Sequence, residues 1–530
     1  MEDSDVTGFQ WFDRRYLPPF QAPTRLTIYD LRGASRDEYI TATVAAGIIN
    51  RSQGQVYLIT SADDAFWLEN VFAAVPQVSS PLQGSAALSD LLTTHLSAFN
   101  GLLIYDPALP DTINVATTMA GLQDAIIASP ALAEQLLAVC ALPVLDDLRT
   151  YGWRTRLQAY QWARQHLLPR CSQYVLAGLD PAAFCGLRSF LVASRAFVYW
   201  LDSRQYLPVA GENKSSERSL LRQLLTFYAP GSVHLGWVIH EQSAVAMASA
   251  AGMAVVASDY VLNLEVWIAL PVAQIPRPPA AVKRTGRHKK IYVSFTMSDG
   301  DNLQYCQHRL RTIWQDPARG TVPLGWTFPP LLSQAAPALA SYYTRSATEF
   351  DELLAGPSGL GYIYPSRWPR HLLKPFLQQT GTLMRALDMN TLDVLDVDAV
   401  YRTGLPVVAA FSFKGMQLTD RHVQHLFARE LVPYGVKNVF SGAGFTGKIA
   451  RWQQVGELTI YHHLGFTDSV ERTVKLIRLA SLLFRRRPLF LSVYLIAWTM
   501  TPSLVKQVME QLGKEYEFVL PSTLFSLLKA

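Results

Sequence analysis

The sequence predicts an α/β protein in two parts: small α/β subdomains with parallel sheets in the N-terminal half, and a (β/α) barrel-like domain in the C-terminal half. Three observations lead there. Short apolar strand segments alternate with helical ones along most of the chain, the pattern of parallel βα units. Apolar residues make up 49% of the 530 and charged residues only 17%, as expected when strands are covered on both faces and read as continuous apolar runs. A segment at 271–290, PVAQIPRPPAAVKRTGRHKK, breaks the pattern with four prolines, six Lys/Arg and no acid.

After an N-terminal extension (1–23), the first subdomain spans 24–100. RLTIYD (25–30) and QVYLIT (55–60) read as strands around a helix over 37–50. A second small subdomain, 101–150, opens with the strand GLLIYD (101–106), continues with a helix over 114–127 and ends with a short strand at 143–147. The third, 151–270, carries strand candidates at 173–179, 232–239 and 253–259, with an Ala-rich helix over 242–251 before the last.

Prolines remove backbone donors and like charges repel, so 271–290 is expected to be an extended linker. Beyond it, 291–530 offers strand candidates at 291–297, 323–328, 361–365, 392–397, 406–413, 437–441, 457–463, 489–496 and 516–521. Helical patterns fill many of the gaps, at 372–387, 421–431, 470–484 and 503–512. About eight strands with intervening helices in this length match a (β/α) barrel, whose sites lie at the C-terminal ends of the strands. An open doubly wound sheet remains the other solution.

Composition also limits the partners. The net charge of +5 and pI near 8.9 suggest an anionic partner only if the excess is clustered on a folded surface. The six linker charges (Arg277, Lys283, Arg284, Arg287, Lys289 and Lys290) account for it, leaving −1 elsewhere, so no nucleic acid is expected. The longest apolar run, 489–500, is twelve residues, short of the roughly 18–20 that span a bilayer; no membrane partner is expected. The first fifteen residues are polar and acidic, with no apolar signal core. A cytoplasmic location follows for the chain as it stands, or a secreted one if a leader has been omitted. Cys140, Cys171, Cys185 and Cys306 lack metal-site spacing and are expected to be buried free thiols. Neither a metal nor a cofactor is expected, and the oligomeric state stays open.

Chemistry-bearing residues gather in the C-terminal half. Asp299, Gly300, Asp301 and Asn302 leave the strand IYVSFTM together. Two acids and an amide suit a general acid/base pair, a metal-ligand set or a clamp on sugar hydroxyls; they equally suit a polar turn that caps the next helix. Tyr362 and Tyr364, two apart on a short predicted strand, face one side and suit a sugar hydroxyl or the flat face of a pyranose, or simple core packing. Glu349 and Asp351 read as helical. Asp393, Asp396 and Asp398 form LDVLDVD on or near a strand, where alternation puts Asp396 and Asp398 on one face and a buried carboxylate needs a partner. His462 and His463 end a strand and point to opposite sides, so one at most enters a shared site. Trp326, Trp368 and Trp498 lie near strand ends, as core residues or sugar platforms. The usual hydrolase-elbow, zinc-protease and phosphate-loop motifs are missing from the sequence.

At these residues the sequence resembles the GxGYxYP family of putative glycoside hydrolases. GLGYIYP (359–365) matches the defining motif, with Gly356, Pro357 and Ser358 before it and Asp351 upstream. SDGDNLQY (298–305), PLGWTFPPLLSQAAP (323–337), AAGIINR (45–51), NVATTMAGL (114–122) and VVASDYVLN (255–263) look like further family blocks. The resemblance implies hydrolysis of a glycosidic bond in a carbohydrate. With the residues above it gives a leading expectation: a carboxylate pair with Asp301 as one member and Asp351 or Asp396 as the other. Asp299 positions or tunes it. Asn302, Tyr362, Tyr364, Trp326, Trp368, His462, His463 and Trp498 are the candidate substrate contacts. Two alternatives stay beside it: a non-catalytic carbohydrate-binding protein on a hydrolase-like fold, and a metal-dependent carbohydrate deacetylase using Asp299 or Asp301 with His462 or His463.

Overall fold

The computed structural model describes residues 20–204, 214–279, 288–396, 416–443 and 452–529. Most of the N-terminal extension, the centre of the linker, Asp398 and the strand candidate at 406–413 lie outside the described residues. The chain divides into two compact units: Phe9–Val272 with Gln334–Leu339, and Ala273–Ser333 with Ala340–Ala530.

The N-terminal unit holds three parallel sheets. Strands β1 (Leu26–Asp30), β2 (Val56–Ile59) and β3 (Gln77–Gln83) pair in the order β2-β1-β3. Strands β4 (Gly101–Ile104), β5 (Ala125–Ala128) and β6 (Val144–Asp147) pair as β5-β4-β6. Strands β7 (Val175–Gly178), β8 (Phe197–Tyr199), β9 (Val233–Gly236) and β10 (Ala254–Ala257) pair as β10-β9-β7-β8. The helix Arg36–Ile49 begins in a capping box, with Ser35 and Glu38 satisfying each other's free backbone N–H. Its Gly47 lies so close to the backbone of Ser189 that a Cβ would sit 2.2 Å from Ser189 O.

Two expectations change in this unit. The helix predicted over 114–127 is Thr112–Gln123; Asp124 turns left-handed (φ 54°), and the β-branched Ile126 and Ile127 that follow lie in β5. Strand β3, QVSSPLQ, went unread because it is an edge strand with little apolar content, and most of it is exposed.

The C-terminal unit is one ten-stranded sheet among the described residues. Its strands are β11 (Ile291–Met297), β12 (Leu324–Phe328), β13 (Asp351–Ala355), β14 (Thr391–Val394), β15 (Asn438–Ala443), β16 (Trp452–Val455), β17 (Leu458–His463), β18 (Phe466–Thr467), β19 (Leu489–Leu495) and β20 (Tyr516–Phe518). The order is β16-β17-β15-β14-β13-β12-β11-β19-β18, with β20 beside β11, and only β16 runs antiparallel to its neighbour. β17 pairs with β15, and the same stretch of chain continues through Leu464, whose N–H donates to Ser492 O at 2.7 Å, into β18 on the edge of β19. The helix Pro521–Lys529 supplies Leu524, Phe525, Leu527 and Leu528 to a core with Tyr292, Leu354, Phe440, Tyr461 and Phe490.

Here too the sequence misleads locally. DELLA (351–355), read as helix, is β13, buried between β12 and β14. Its acids fit because each has designated donors: Arg319 and Trp326 for Asp351, the Ser522 N–H for Glu352. Residues 361–365, read as a strand, form a turn with a bridge at Tyr362. Gly359 opens it at φ 117°, a conformation that favours glycine.

The four cysteines are buried and free of disulfides. Among the described residues no helix is long and apolar enough to cross a membrane.

Candidate active site at the strand ends

Strand β11 delivers Asp299, Gly300, Asp301 and Asn302 into a tightly held loop. A Cβ on Gly300 would stand 2.4 Å from Thr327 Cβ and 2.6 Å from Phe328 N. A Cβ on Gly356, just past β13, would stand 2.2 Å from Gly300 C and O. The loops after β11 and β13 are therefore in backbone contact, and each of these positions has room only for glycine.

Asp299 lies at φ 75° and accepts two side-chain hydrogen bonds, from the Ser298 hydroxyl and from Trp498 Nε1 at 2.7 Å. Burial nevertheless pushes its pKa above the ordinary aspartate value, against the opposing pull of those two donors. Trp498 is 48% exposed, so one edge holds Asp299 while much of the ring faces solvent. Asn302 caps the next helix, accepting from Tyr305 N at 2.9 Å, and its own N–H donates to Asp299 O at 3.1 Å.

Deeper inside the sheet stand Asp393 on β14, His463 on β17 and Tyr494 on β19. Asp393 is fully buried, and its Oδ1 lies 3.6 Å from His463 Nε2. Neither Asp393 oxygen nor that imidazole nitrogen meets a hydrogen-bond partner. The other ring nitrogen of His463, Nδ1, is 2.9 Å from Ser492 Oγ, and the ring stacks on Phe440 with centroids 4.4 Å apart. The Tyr494 hydroxyl interacts with the Asp393 side chain. Burial first, then the carboxylates of Asp393, Asp299 and Asp301, push this phenol well above its ordinary pKa. One tyrosine thus feels three acids from two strands. The hydroxyls of Ser294 and Thr296 on β11 are also buried without partners.

The expected residues divide accordingly. Asp299, Asp301, His463 and Trp498 come together, joined by Asp393 and Tyr494. Asp351 does not. It starts β13, where it takes Arg319 Nη1 at 2.7 Å, Trp326 Nε1 at 2.9 Å, and the Thr348 N–H and hydroxyl at 2.9 and 2.8 Å. It lies five positions before Gly356 along the strand, roughly 16 Å at about 3.3 Å per residue. Asp351 and Trp326 therefore brace the opposite end of the sheet, which corrects the pairing of Asp351 with Asp301. Asp396 accepts from Ser366 N at 3.1 Å and from the Ser366 hydroxyl, tying down the turn that follows the tyrosine motif. Tyr362 and Tyr364 are buried edge to face, hydroxyls 3.4 Å apart. Trp368 packs on Phe376, and His462 Nδ1 is 2.8 Å from Ser441 O. The deacetylase alternative needs a metal-ligand set; among the described residues no three His, Cys, Asp or Glu are grouped to hold a metal ion.

Sequence reasoning passed over Asp393 and Tyr494. Signals existed for both: Asp393 is the one charged residue in the buried strand TLDV, and Tyr494 shares a face with Ser492 in LFLSVYL.

Residues 289–529 match the family described as "GxGYxYP putative glycoside hydrolase C-terminal domain". Residues 99–171 match "GxGYxYP_N second domain" and 173–269 "GxGYxYP third domain". A crystal structure of a putative hydrolase from Bacteroides thetaiotaomicron VPI-5482 aligns over 100% of this chain and 98% of its own, at a TM-score of 0.79 and 19% identity, a likeness of fold. A putative polysaccharide deacetylase from Mycobacterium smegmatis aligns over 48% of this chain and 94% of its own, at a TM-score of 0.30 and 11% identity. No curated protein matches the chain.

Proposed function

We propose that this chain, which belongs to the GxGYxYP family, hydrolyses a glycosidic bond in a carbohydrate at the C-terminal ends of β11, β14 and β19. The observation that supports this reading is that Asp299, Asp301 and Asp393 all act electrostatically on the Tyr494 phenol, beside the Asp299–Trp498 hydrogen bond. Glycoside hydrolysis needs one carboxyl that holds a proton and one that has lost it. Asp299 suits the first role, since burial raises its pKa. Asp301, two residues on, takes the second, assisting water or attacking the anomeric carbon as Asp299 protonates the departing oxygen. Trp498 offers an exposed aromatic face beside Asp299 on which a sugar ring can rest. Asp393, His463 and Tyr494 lie behind the pair and set the field around it; Tyr362, Tyr364 and Asp396 shape the adjoining loop. Residues 291–530 form the catalytic domain in this reading, with 271–290 as a linker from three α/β subdomains.

The test is a screen of chromogenic aryl glycosides against the wild type, Asp301→Asn and Asp299→Asn. Turnover in the wild type that falls by about 10²–10⁴-fold in the variants supports the assignment. Turnover unchanged in both removes it, and saturable sugar binding without turnover replaces the enzyme with a binding protein.

A further inference from the structure

Within the N-terminal unit, Arg188 is a guanidinium without a counter-ion. It is fully buried at 0% exposure. Its Nη1 is satisfied by Thr117 Oγ1 at 2.6 Å and Asn114 Oδ1 at 3.4 Å, while Nε and Nη2 have no acceptor. Burial pushes its pKa down to about 10, which still leaves it charged at neutral pH. Of the nearby carboxylates, Asp37 lies 3.8 Å from Arg36 Nη1 and acts on the Tyr105 phenol, Asp111 lies 3.6 Å from Arg156 Nε, and neither hydrogen-bonds Arg188.

Two more donors in the same neighbourhood lack a hydrogen bond of good geometry, Arg36 Nε and the Tyr105 hydroxyl, the phenol standing beside Asp37 and Ser129. Both residues act electrostatically on Arg188, and Arg36 acts on Tyr105. The three follow strands of three different sheets. Tyr105 follows β4, Arg36 opens the helix after β1, and Arg188 ends the loop after β7, a loop that also takes a hydrogen bond from Arg36 to Pro181 O. Nε and Nη2 form one edge of the guanidinium, with two parallel N–H groups spaced for the two oxygens of a carboxylate. A buried charge left without such a partner costs several kcal/mol.

We propose that Arg188, Arg36 and Tyr105 form an anion site that takes the carboxylate of a small organic acid, bidentate on Arg188, with Arg36 and Tyr105 completing its hydrogen bonds. An acidic sugar and a simple organic acid share this chemistry.

The test uses the full chain, with calorimetric titration and thermal melting in sodium glucuronate, acetate, phosphate and glucose against sodium chloride at matched ionic strength. A carboxylate is expected to bind saturably and raise the melting temperature above the chloride control. Tyr105→Phe and Arg36→Gln each weaken it about tenfold, and Arg188→Gln abolishes it. Should Arg188→Gln fail to fold, Tyr105→Phe, which removes a single hydroxyl, decides. Stronger binding of glucuronate identifies an acidic sugar as the ligand, and equal or stronger binding of acetate a simple acid. Binding of phosphate alone, no effect beyond chloride, or unchanged affinity in Tyr105→Phe overturns the proposal.

Discussion

Asp393 Oδ1 stands 3.6 Å from His463 Nε2 in the interior of the C-terminal sheet, and neither atom has a hydrogen-bond partner. A carboxyl group buried without a hydrogen-bond partner is destabilising. Asp393→Asn is therefore expected to raise stability by about 1–3 kcal/mol in urea unfolding while lowering turnover. Loss of stability would show instead that the pair is a well-formed ion pair between carboxylate and imidazolium.

The backbone contact between Gly300 and Gly356 joins the acidic loop to the loop that carries the tyrosine motif. Gly356→Ala forces the two loops apart. The expected cost is about 1–3 kcal/mol from overpacking, together with a loss of activity larger than the loss of folded protein. Circular dichroism melts beside activity per folded molecule separate the two effects.

Asp351 offers the opposite signature. Its carboxylate is saturated by Arg319, Trp326 and Thr348 far from Asp301. Asp351→Asn leaves Arg319 without its charge partner, for an expected destabilisation of about 3 kcal/mol with turnover per folded molecule unchanged. A fall in turnover without a fall in stability would return Asp351 to the catalytic pair.

Glu352 predicts the pH dependence of stability. Burial raises its pKa to about 7, although backbone and side-chain hydrogen bonds from Ser522 pull the other way. Between the unfolded value near 4.5 and about 7 the folded state holds the extra proton, so this contribution is complete at low pH and is lost as pH rises through 7. The full shift corresponds to about 3 kcal/mol, or about 2 kcal/mol allowing for the side chain's residual exposure. Urea midpoints from pH 4.5 to 8 should decline in the wild type, and the decline should be correspondingly smaller in Glu352→Gln.

These contrasts show what the sequence makes legible. The alternation of apolar strands and helices carries the fold class, because buried parallel strands leave a composition signal that survives without coordinates. The β11 loop is legible for a similar reason: two acids flanking a glycine at a strand end are conspicuous. Asp351 misleads because its neighbours Leu353 and Leu354 fit a helical spacing as well as a buried strand, and its partner Arg319 is 32 residues away. Asp393 hides for a different reason. The same LDVLDVD that contains it also offers Asp396, and only the register of β14 against β15, with Asp393 opposite Phe440, tells which one faces inward to His463.

In the proposed mechanism Trp498 tunes the acid. Its indole N–H stabilises the charged form of Asp299, so Trp498→Phe, which keeps an aromatic ring but loses the donor, should raise the Asp299 pKa further. As the general acid works only when protonated, the alkaline limb of kcat/KM against pH should move upward in the variant. An unmoved limb would take Asp299 out of the acid role.

The most direct measurement is the leaving-group dependence of Asp299→Asn. Two glycosides of one sugar are compared, one with a poor leaving group that needs protonation and one with 2,4-dinitrophenolate, which does not. The expected result is a loss of about 10²–10⁴-fold in kcat/KM on the first and little loss on the second. Equal losses on both substrates, or none on either, would contradict the assignment of Asp299 as the proton donor at this site.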